Sequence, residues 1–313
     1  MDHLADMPSR RPQGAGAARQ IFFKNDSQCG AATFHQCVIM PRQRTRHRRS
    51  VERARKLLWE YRHQMNALKD SIKSGRTVVG TTATPNVDVA ILSDAGYDFV
   101  LLDTQHSAWE IKQLQPSIQT MRGKQAAPLV RVAANQAYQI CFALDAGARG
   151  IVVPMVNTRE EAEAAVRACR YFPLGNRSNA GVRGEWGEFK NYRDYLDAVN
   201  DGVVIVPMIE TNQALENLDA IASVPGVDVL LIGPSDLSIE LGVPLDYQCD
   251  LYQRALDKIA ATAAKHGVAA GMYFIPPGMD PNFYVQKGFK FFTMPWGPWA
   301  TAGIKNALAG IER

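Results

Sequence analysis

Eight short runs of apolar and β-branched residues recur from residue 77 onward: Thr77–Thr81, Phe99–Leu102, Leu129–Val132, Ile151–Val153, Val203–Ile209, Val229–Ile232, Ala269–Tyr273 and Phe291–Met294. Between most of them lie stretches with apolar residues at helical spacing, such as Gln139–Asp145, Arg159–Tyr171, Gln213–Ser223 and Leu251–His266. No other feature constrains the fold so tightly. Parallel neighbours need a crossover long enough to hold a helix, so strand–helix alternation predicts βαβ units. Eight such units predict closure into a (β/α)8 barrel. A doubly wound open sheet is the competing arrangement, and it is disfavoured because no G-x-G-x-x-G follows the first strand.

The chain has 313 residues, 46% of them hydrophobic, enough for one barrel of about 250 residues and an extension. Its net charge of +4 is unevenly placed. Residues 1–62 hold 13 Lys/Arg against 5 Asp/Glu, whereas the remainder holds 22 against 26. The body is thus mildly acidic and calls for no nucleic-acid partner. Residues 1–50 show little periodicity and include Arg42-Gln-Arg-Thr-Arg-His-Arg-Arg49. They read as a disordered basic tail, as a mitochondrial transit peptide (against which Asp2, Asp6 and Asp26 count), or as an RNA-binding arm. From Val51 to about Ser74, Leu57, Leu58, Tyr61, Met65, Leu68 and Ile72 recur at helical spacing. The expected division is therefore an extension over 1–50 and a barrel with its leading helix over 51–313.

No apolar run approaches the ~20 residues that span a bilayer, so no membrane partner is expected. The cysteines at 29, 37, 141, 169 and 249 form no C-x-x-C pair and suit a reducing compartment. Cys141 and Cys169 fall in helical patterns as small core residues. A cytoplasmic location follows, or a mitochondrial one if the Arg-rich leader is a transit peptide.

In a parallel barrel, chemistry sits at the C-terminal strand ends. Strand two delivers Asp103 and His106, strand three Arg131, strand five Glu210 and strand six Asp236; strand four ends Val152-Val153-Pro154. Each has a structural alternative. Asp103 and His106 could be a cap and a packed ring, Arg131 an internal ion-pair partner, and Glu210 and Asp236 helix N-caps before Thr211 and Ser238. Convergence of all five on one mouth favours a site.

Oxygen ligands without a Cys or His cluster suit Mg²⁺ or Mn²⁺. Two carboxylates leave four octahedral positions for water and for the carboxylate and keto oxygens of a 2-oxo acid. Arg131 would stabilise charge on the keto oxygen, and His106 would transfer the proton. A positioned base contributes roughly 10²–10⁴-fold, which is modest against a ketone methyl. The cation and Arg131 must therefore supply several kcal/mol more at the enolate. Enolate formation, or its reverse in retro-aldol cleavage, is the chemistry implied.

Leu102-Asp-Thr-Gln-His106, Leu129-Val-Arg-Val132, Leu144-Asp-Ala-Gly147, Ile209-Glu-Thr211 and Gly233-Pro-Ser-Asp-Leu237 occur in that order. This series resembles the HpcH/HpaI superfamily, the metal-dependent class II pyruvate aldolases of the 4-hydroxy-2-oxoheptanedioate and 2-dehydro-3-deoxyglucarate type, over about Thr77 to Ile311. The resemblance implies a general acid/base at His106, working partly through water at the metal. It implies that Asp145 raises the basicity of that histidine, although spacing alone reads Asp145 as a helix C-terminal residue. It further implies Asp103 near the metal and its waters, Arg131 as transition-state stabiliser, and Glu210 and Asp236 as ligands of Mg²⁺, Mn²⁺ or Co²⁺. The turn from Gly233 would hold the pyruvate carboxylate on the backbone N–H groups of Ser235 and Asp236. Pro173-Leu-Gly-Asn-Arg-Ser178, with Gly181 and Gly184, resembles the mobile loop after strand four that borders the site. The implied partners are a 2-oxo acid, an aldehyde and further copies of the chain, in a dimer-based hexamer whose C-terminal helix packs on a neighbour.

The chain also departs from that pattern. Gln105 stands where many members carry Glu, and Met208 where a substrate-contacting Gln is frequent. Met294-Pro-Trp-Gly-Pro-Trp299 replaces the usual Gly-x-Asp, so Trp296 and Trp299 either reshape the acceptor pocket or pack on the last helix. The expected reaction is cleavage or condensation of a 4-hydroxy-2-oxo acid through a pyruvate enolate. The alternatives are a decarboxylating enzyme of macrophomate synthase type, a citrate-lyase-β-like acyl-CoA lyase, and a non-catalytic barrel.

Overall fold

The structure, a computed structural model, describes residues 67–182 and 186–311. The basic extension, most of the leading helix, Cys29, Cys37 and Gly184 lie outside the described residues. Helix α1 is described over 67–73. Eight strands follow: β1 (Val78–Ala83), β2 (Phe99–Asp103), β3 (Ala127–Arg131), β4 (Gly150–Val153), β5 (Val204–Ile209), β6 (Val229–Ile232), β7 (Ala269–Met272) and β8 (Phe289–Thr293). All are parallel, and they pair in sequence order with β8 returning to β1, so the barrel is closed. Each expected strand is present, with ends displaced by at most two residues.

The crossovers carry α2 (Val89–Ser93), α3 (Leu114–Thr120), α4 (Ala137–Ala146), α5 (Arg159–Cys169), α6 (Tyr192–Gly202), α7 (Asn212–Glu216), α8 (Leu218–Ala222), α9 (Pro234–Glu240), α10 (Asp250–His266) and α11 (Pro281–Gln286), with α12 (Gly297–Ala309) last. The helix expected over 213–223 is two. Asn217 separates them, and its side-chain amide donates to the Asn157 carbonyl at 2.9 Å. Helix α5 starts as a capping box, in which Thr158 accepts from the Glu161 N–H while Glu161 reaches back to the Thr158 N–H. Cys169 is buried on α5 and Cys141 half-buried on α4. Among the described residues no helix is long and apolar enough to cross a membrane.

Alternation decides what faces the barrel axis, because side chains of a strand point to opposite faces with period two. Val78, Phe99, Leu101, Leu129, Val152, Val204, Val206, Met208, Val229, Leu231 and Phe291 form one inner cluster, joined by Leu68 and Ile72 of α1. The residues between them pack outward against the helices. Phe99 and Phe291 stack with centroids 4.4 Å apart near the N-terminal strand ends. Gly80 makes room for them, since a Cβ there would lie 2.3 Å from the Phe99 ring. The barrel interior is thus filled with side chains, and the inner series runs on to the C-terminal strand ends.

Candidate active site

The parity that fills the barrel also builds its mouth. Continuing the inner series past Leu101 gives Asp103, past Leu129 gives Arg131, and past Met208 gives Glu210. Past Leu231 comes Gly233, and past Gly271 comes Tyr273. Asp103 and Arg131 are Cα partners across β2 and β3, so their side chains leave the same face at the same height. They meet as a bidentate pair: Nε donates to Oδ1 at 2.8 Å and Nη2 to Oδ2 at 2.5 Å. Both side chains are about 95% buried.

Burial alone would raise the Asp103 pKa, but the Arg131 hydrogen bonds and charge, with two backbone N–H groups, hold it below the usual carboxylate range. Those N–H groups belong to Gln105 at 2.9 Å and His106 at 3.4 Å, both on Oδ1. One carboxylate therefore holds the guanidinium and also folds the loop that presents the exposed His106. Arg131 is thus an internal ion-pair partner, and the pair sits at the mouth.

Tyr273 completes this group, and charge-based reading of the sequence missed it. Its ring lies 4.2 Å from the Arg131 guanidinium carbon, and its hydroxyl donates to Asp103 Oδ2 at 3.5 Å. Burial pushes the phenol up to about 12 against the opposing Arg131 charge, so it stays a neutral donor. The remaining Arg131 nitrogen, Nη1, faces the Met208 sulfur at 4.0 Å. The parity rule that gives Asp103 and Glu210 would have found Tyr273.

Glu210 is not an N-cap. Thr211 caps α7, its hydroxyl accepting from the Ala214 N–H. Glu210 is 97% buried, and its Oε1 accepts from the Met155 N–H at 2.7 Å. That N–H is aimed by a strained backbone, since Met155 has φ +53° without being glycine. The described residues supply no donor to Oε2. Burial raises the Glu210 pKa; the nearby Asp236 carboxylate raises it further, while the Met155 N–H and Arg131 oppose this. Gly233, the N-cap of α9, makes the approach possible, because a Cβ there would lie 2.2 Å from Oε2. Asp236 sits exposed in the first turn of α9. Ser235 lies beside it, its Oγ 3.5 Å from the Tyr247 hydroxyl.

Neither Glu210 nor Asp236 has an ion-pair partner among the described residues, where no cluster of three or more His, Cys, Asp and Glu occurs. Two neighbouring carboxylates, one of them with an oxygen that takes no donor, fit a hard divalent cation that takes its other ligands from water and substrate oxygens.

Two groups expected at the site lie away from the mouth of their own chain. Asp145 does not approach His106 within the chain. Helix α4 runs from the mouth to the other end of the barrel, and Asp145 lies on its last turn, five residues before β4 begins. There Arg177 Nη2 donates to it at 2.9 Å and the Cys141 thiol at 3.7 Å. The Pro173–Ser178 loop does not border the mouth. It follows α5, which has already carried the chain back down, and it packs beside Asp145 through Arg177. Of the two tryptophans, Trp296 caps α12 and packs partly buried on the outer core, whereas Trp299 is half-exposed.

The class is that of closed eight-stranded (β/α)8 barrels, here with an Arg–Asp–Tyr group and the Glu210 and Asp236 carboxylates at the C-terminal strand ends. The chain belongs to the HpcH/HpaI aldolase/citrate lyase family, whose model matches residues 82–296. It is 35% identical over 219 residues to 2-keto-3-deoxy-L-rhamnonate aldolase of Klebsiella pneumoniae, covering 68% of this chain and 81% of that one. It is 32% identical over 253 residues to 4-hydroxy-2-oxo-heptane-1,7-dioate aldolase of Salmonella newport, covering 79% and 96%. A crystal structure of a family protein from Burkholderia cenocepacia superposes with TM-score 0.69 at 28% identity, covering 78% of this chain and 98% of the other. The chain is thus a lyase of the aldolase type within that family.

Proposed function

We propose that this enzyme cleaves a 4-hydroxy-2-oxo acid to pyruvate and an aldehyde, or runs the condensation, with Mg²⁺ or Mn²⁺ held by Glu210 and Asp236. The observation that carries the reading is the Glu210–Asp236 pair, in which a buried Glu210 carboxyl, raised by burial and by the nearby Asp236 charge, keeps one oxygen free beside Gly233. A bound cation supplies Lewis-acid stabilisation of the 2-oxo acid. Arg131 directs Nη1 at the keto oxygen as charge develops there. The Ser235 and Asp236 N–H groups, in the first turn of α9 where no intrahelical acceptor exists, hold the substrate carboxylate. His106 takes the proton from the 4-hydroxyl in cleavage and from the pyruvate methyl in condensation.

The family resemblance gives Asp145 a role beside His106, and the chain places the two at opposite ends of the barrel. That role therefore requires the Asp145 of a second copy. A homo-oligomer is supported by α12, which has no buried residue and exposes Trp299, Ile304 and Leu308. Removing residues 297–313 is expected to lower the sedimenting mass.

Incubation with pyruvate in deuterated water tests enolisation without knowledge of the aldehyde. Methyl exchange is expected with Mg²⁺ or Mn²⁺, and its loss with EDTA, Glu210→Gln and His106→Ala. Absence of exchange with either metal would sink the reading. Met208, an apolar group beside Arg131 Nη1, favours a second reading in which the same enolate arises by decarboxylation of oxaloacetate and adds to a less polar acceptor. Oxaloacetate turnover without pyruvate exchange would select it.

A further inference from the structure

We propose that Tyr273 is a positioning residue of this site, holding the Arg131 guanidinium in the single orientation that leaves Nη1 free for the substrate; this rests on the enolate reading above. Three contacts divide the guanidinium. Asp103 takes Nε and Nη2 in the guanidinium plane, Tyr273 covers one face at 4.2 Å, and Nη1 is left with the Met208 thioether at 4.0 Å, a weak acceptor. A carboxylate alone fixes the fork in its plane but leaves its two faces open to water. A ring over one face closes that side and opposes rotation out of the plane.

The phenol adds a second restraint from the same residue, because its O–H reaches the Asp103 oxygen that also receives Nη2. Pair and ring are therefore tied to each other. The backbone holds Tyr273 as well: its N–H donates to the Ile232 carbonyl at 3.0 Å, extending the β6–β7 pairing one residue past β7. Phe274 packs edge-on against the ring at 6.5 Å. Because Asp103 also receives the Gln105 and His106 N–H groups, the restraint reaches the loop that carries the acid/base residue.

Two variants separate the parts. Tyr273→Phe keeps the ring and loses the hydroxyl, and Tyr273→Leu loses both. In the metal-dependent pyruvate exchange assay, Tyr273→Leu is expected to lower kcat by about tenfold or more with KM for pyruvate changed less than about twofold, since misorientation weakens a contact that matters in the transition state. Tyr273→Phe is expected to stay within about threefold of wild type. Crystal structures of the variants supply a readout independent of the reaction. Tyr273→Phe should keep one bidentate Arg131 conformer, and Tyr273→Leu should show more than one.

A Tyr273→Leu protein with one bidentate conformer, or with unchanged kcat, overturns the proposal. So does a rise in KM at unchanged kcat, which would make Tyr273 a substrate contact. If the wild type itself shows no exchange, the enolate reading fails, and the Arg131 conformers alone decide whether Tyr273 positions the guanidinium.

Discussion

Replacing Gly233 with alanine isolates one distance. Gly233 has φ −88° and ψ 96°, which alanine adopts without strain, so the added methyl acts through sterics alone. Its carbon would lie 2.2 Å from Glu210 Oε2, against an ordinary contact distance of at least 3.4 Å. The carboxylate must retreat by about 1.2 Å, the difference between these two values. Its other oxygen is tied to the Met155 N–H, so it swings rather than translates, and Oε2 leaves its place beside Gly233. A misplacement of about 1 Å in a catalytic constellation costs on the order of 10²-fold. Gly233→Ala is therefore expected to lose about 10²-fold in metal-dependent pyruvate exchange and to need more Mn²⁺ for half-maximal rate. Overpacking a buried site costs about 1–3 kcal/mol, so a cooperative melt should persist at lower temperature. Exchange within a fewfold of wild type at the same Mn²⁺ concentration would refute the placement of Glu210 in the site.

Glu210→Gln should raise the melting temperature of metal-free protein at neutral pH. The folded carboxyl is raised above its unfolded value, so its stabilising contribution is full at low pH and is lost as pH rises through the folded pKa. The variant's advantage in EDTA should vanish in acid, and a destabilised variant at neutral pH would contradict it. Asp103→Asn strands a buried guanidinium and should cost about 3–5 kcal/mol, or roughly 10 °C at this size, by calorimetry. The folded Asp103 pKa is depressed, so this difference should persist above the ordinary carboxylate range and shrink only as pH falls through the folded value. Mixed unfolding and refolding of inactive His106→Ala with inactive Asp145→Asn chains should restore activity at about one quarter of the sites, because random assortment pairs two intact residues that often. No recovery would place both residues in one chain or deny Asp145 its role.

Much of the mouth was legible in the sequence because charge, strand end and parity coincide at Asp103, Arg131 and Glu210. The register that pairs Asp103 with Arg131 follows from consecutive strands in a closed parallel sheet. Tyr273 is harder to read, because a neutral aromatic at a strand end looks like core until the inner series Ala269, Gly271, Tyr273 is set beside a neighbouring guanidinium. Met155 left no trace, since a left-handed backbone in a non-glycine residue is imposed by its surroundings and not by its own propensity. A role for Asp145 comes from the resemblance alone. The local signal before Ala146-Gly147 already said helix C-terminus, and the direction of α4 makes that the far end of the barrel.

The stacked Phe99 and Phe291 beneath the mouth carry a kinetic consequence. A packed barrel leaves the pair approachable only from the C-terminal strand ends, and the buried Arg131 lies deeper than the exposed His106 and Asp236. Whatever rests on Arg131 must arrive before a second molecule covers it and can leave only after that molecule has gone. On the proposed reaction, turnover would be ordered, with pyruvate first in for condensation and last out for cleavage. Pyruvate would compete with the cleavage substrate for free enzyme, while the aldehyde would meet only the pyruvate-loaded form.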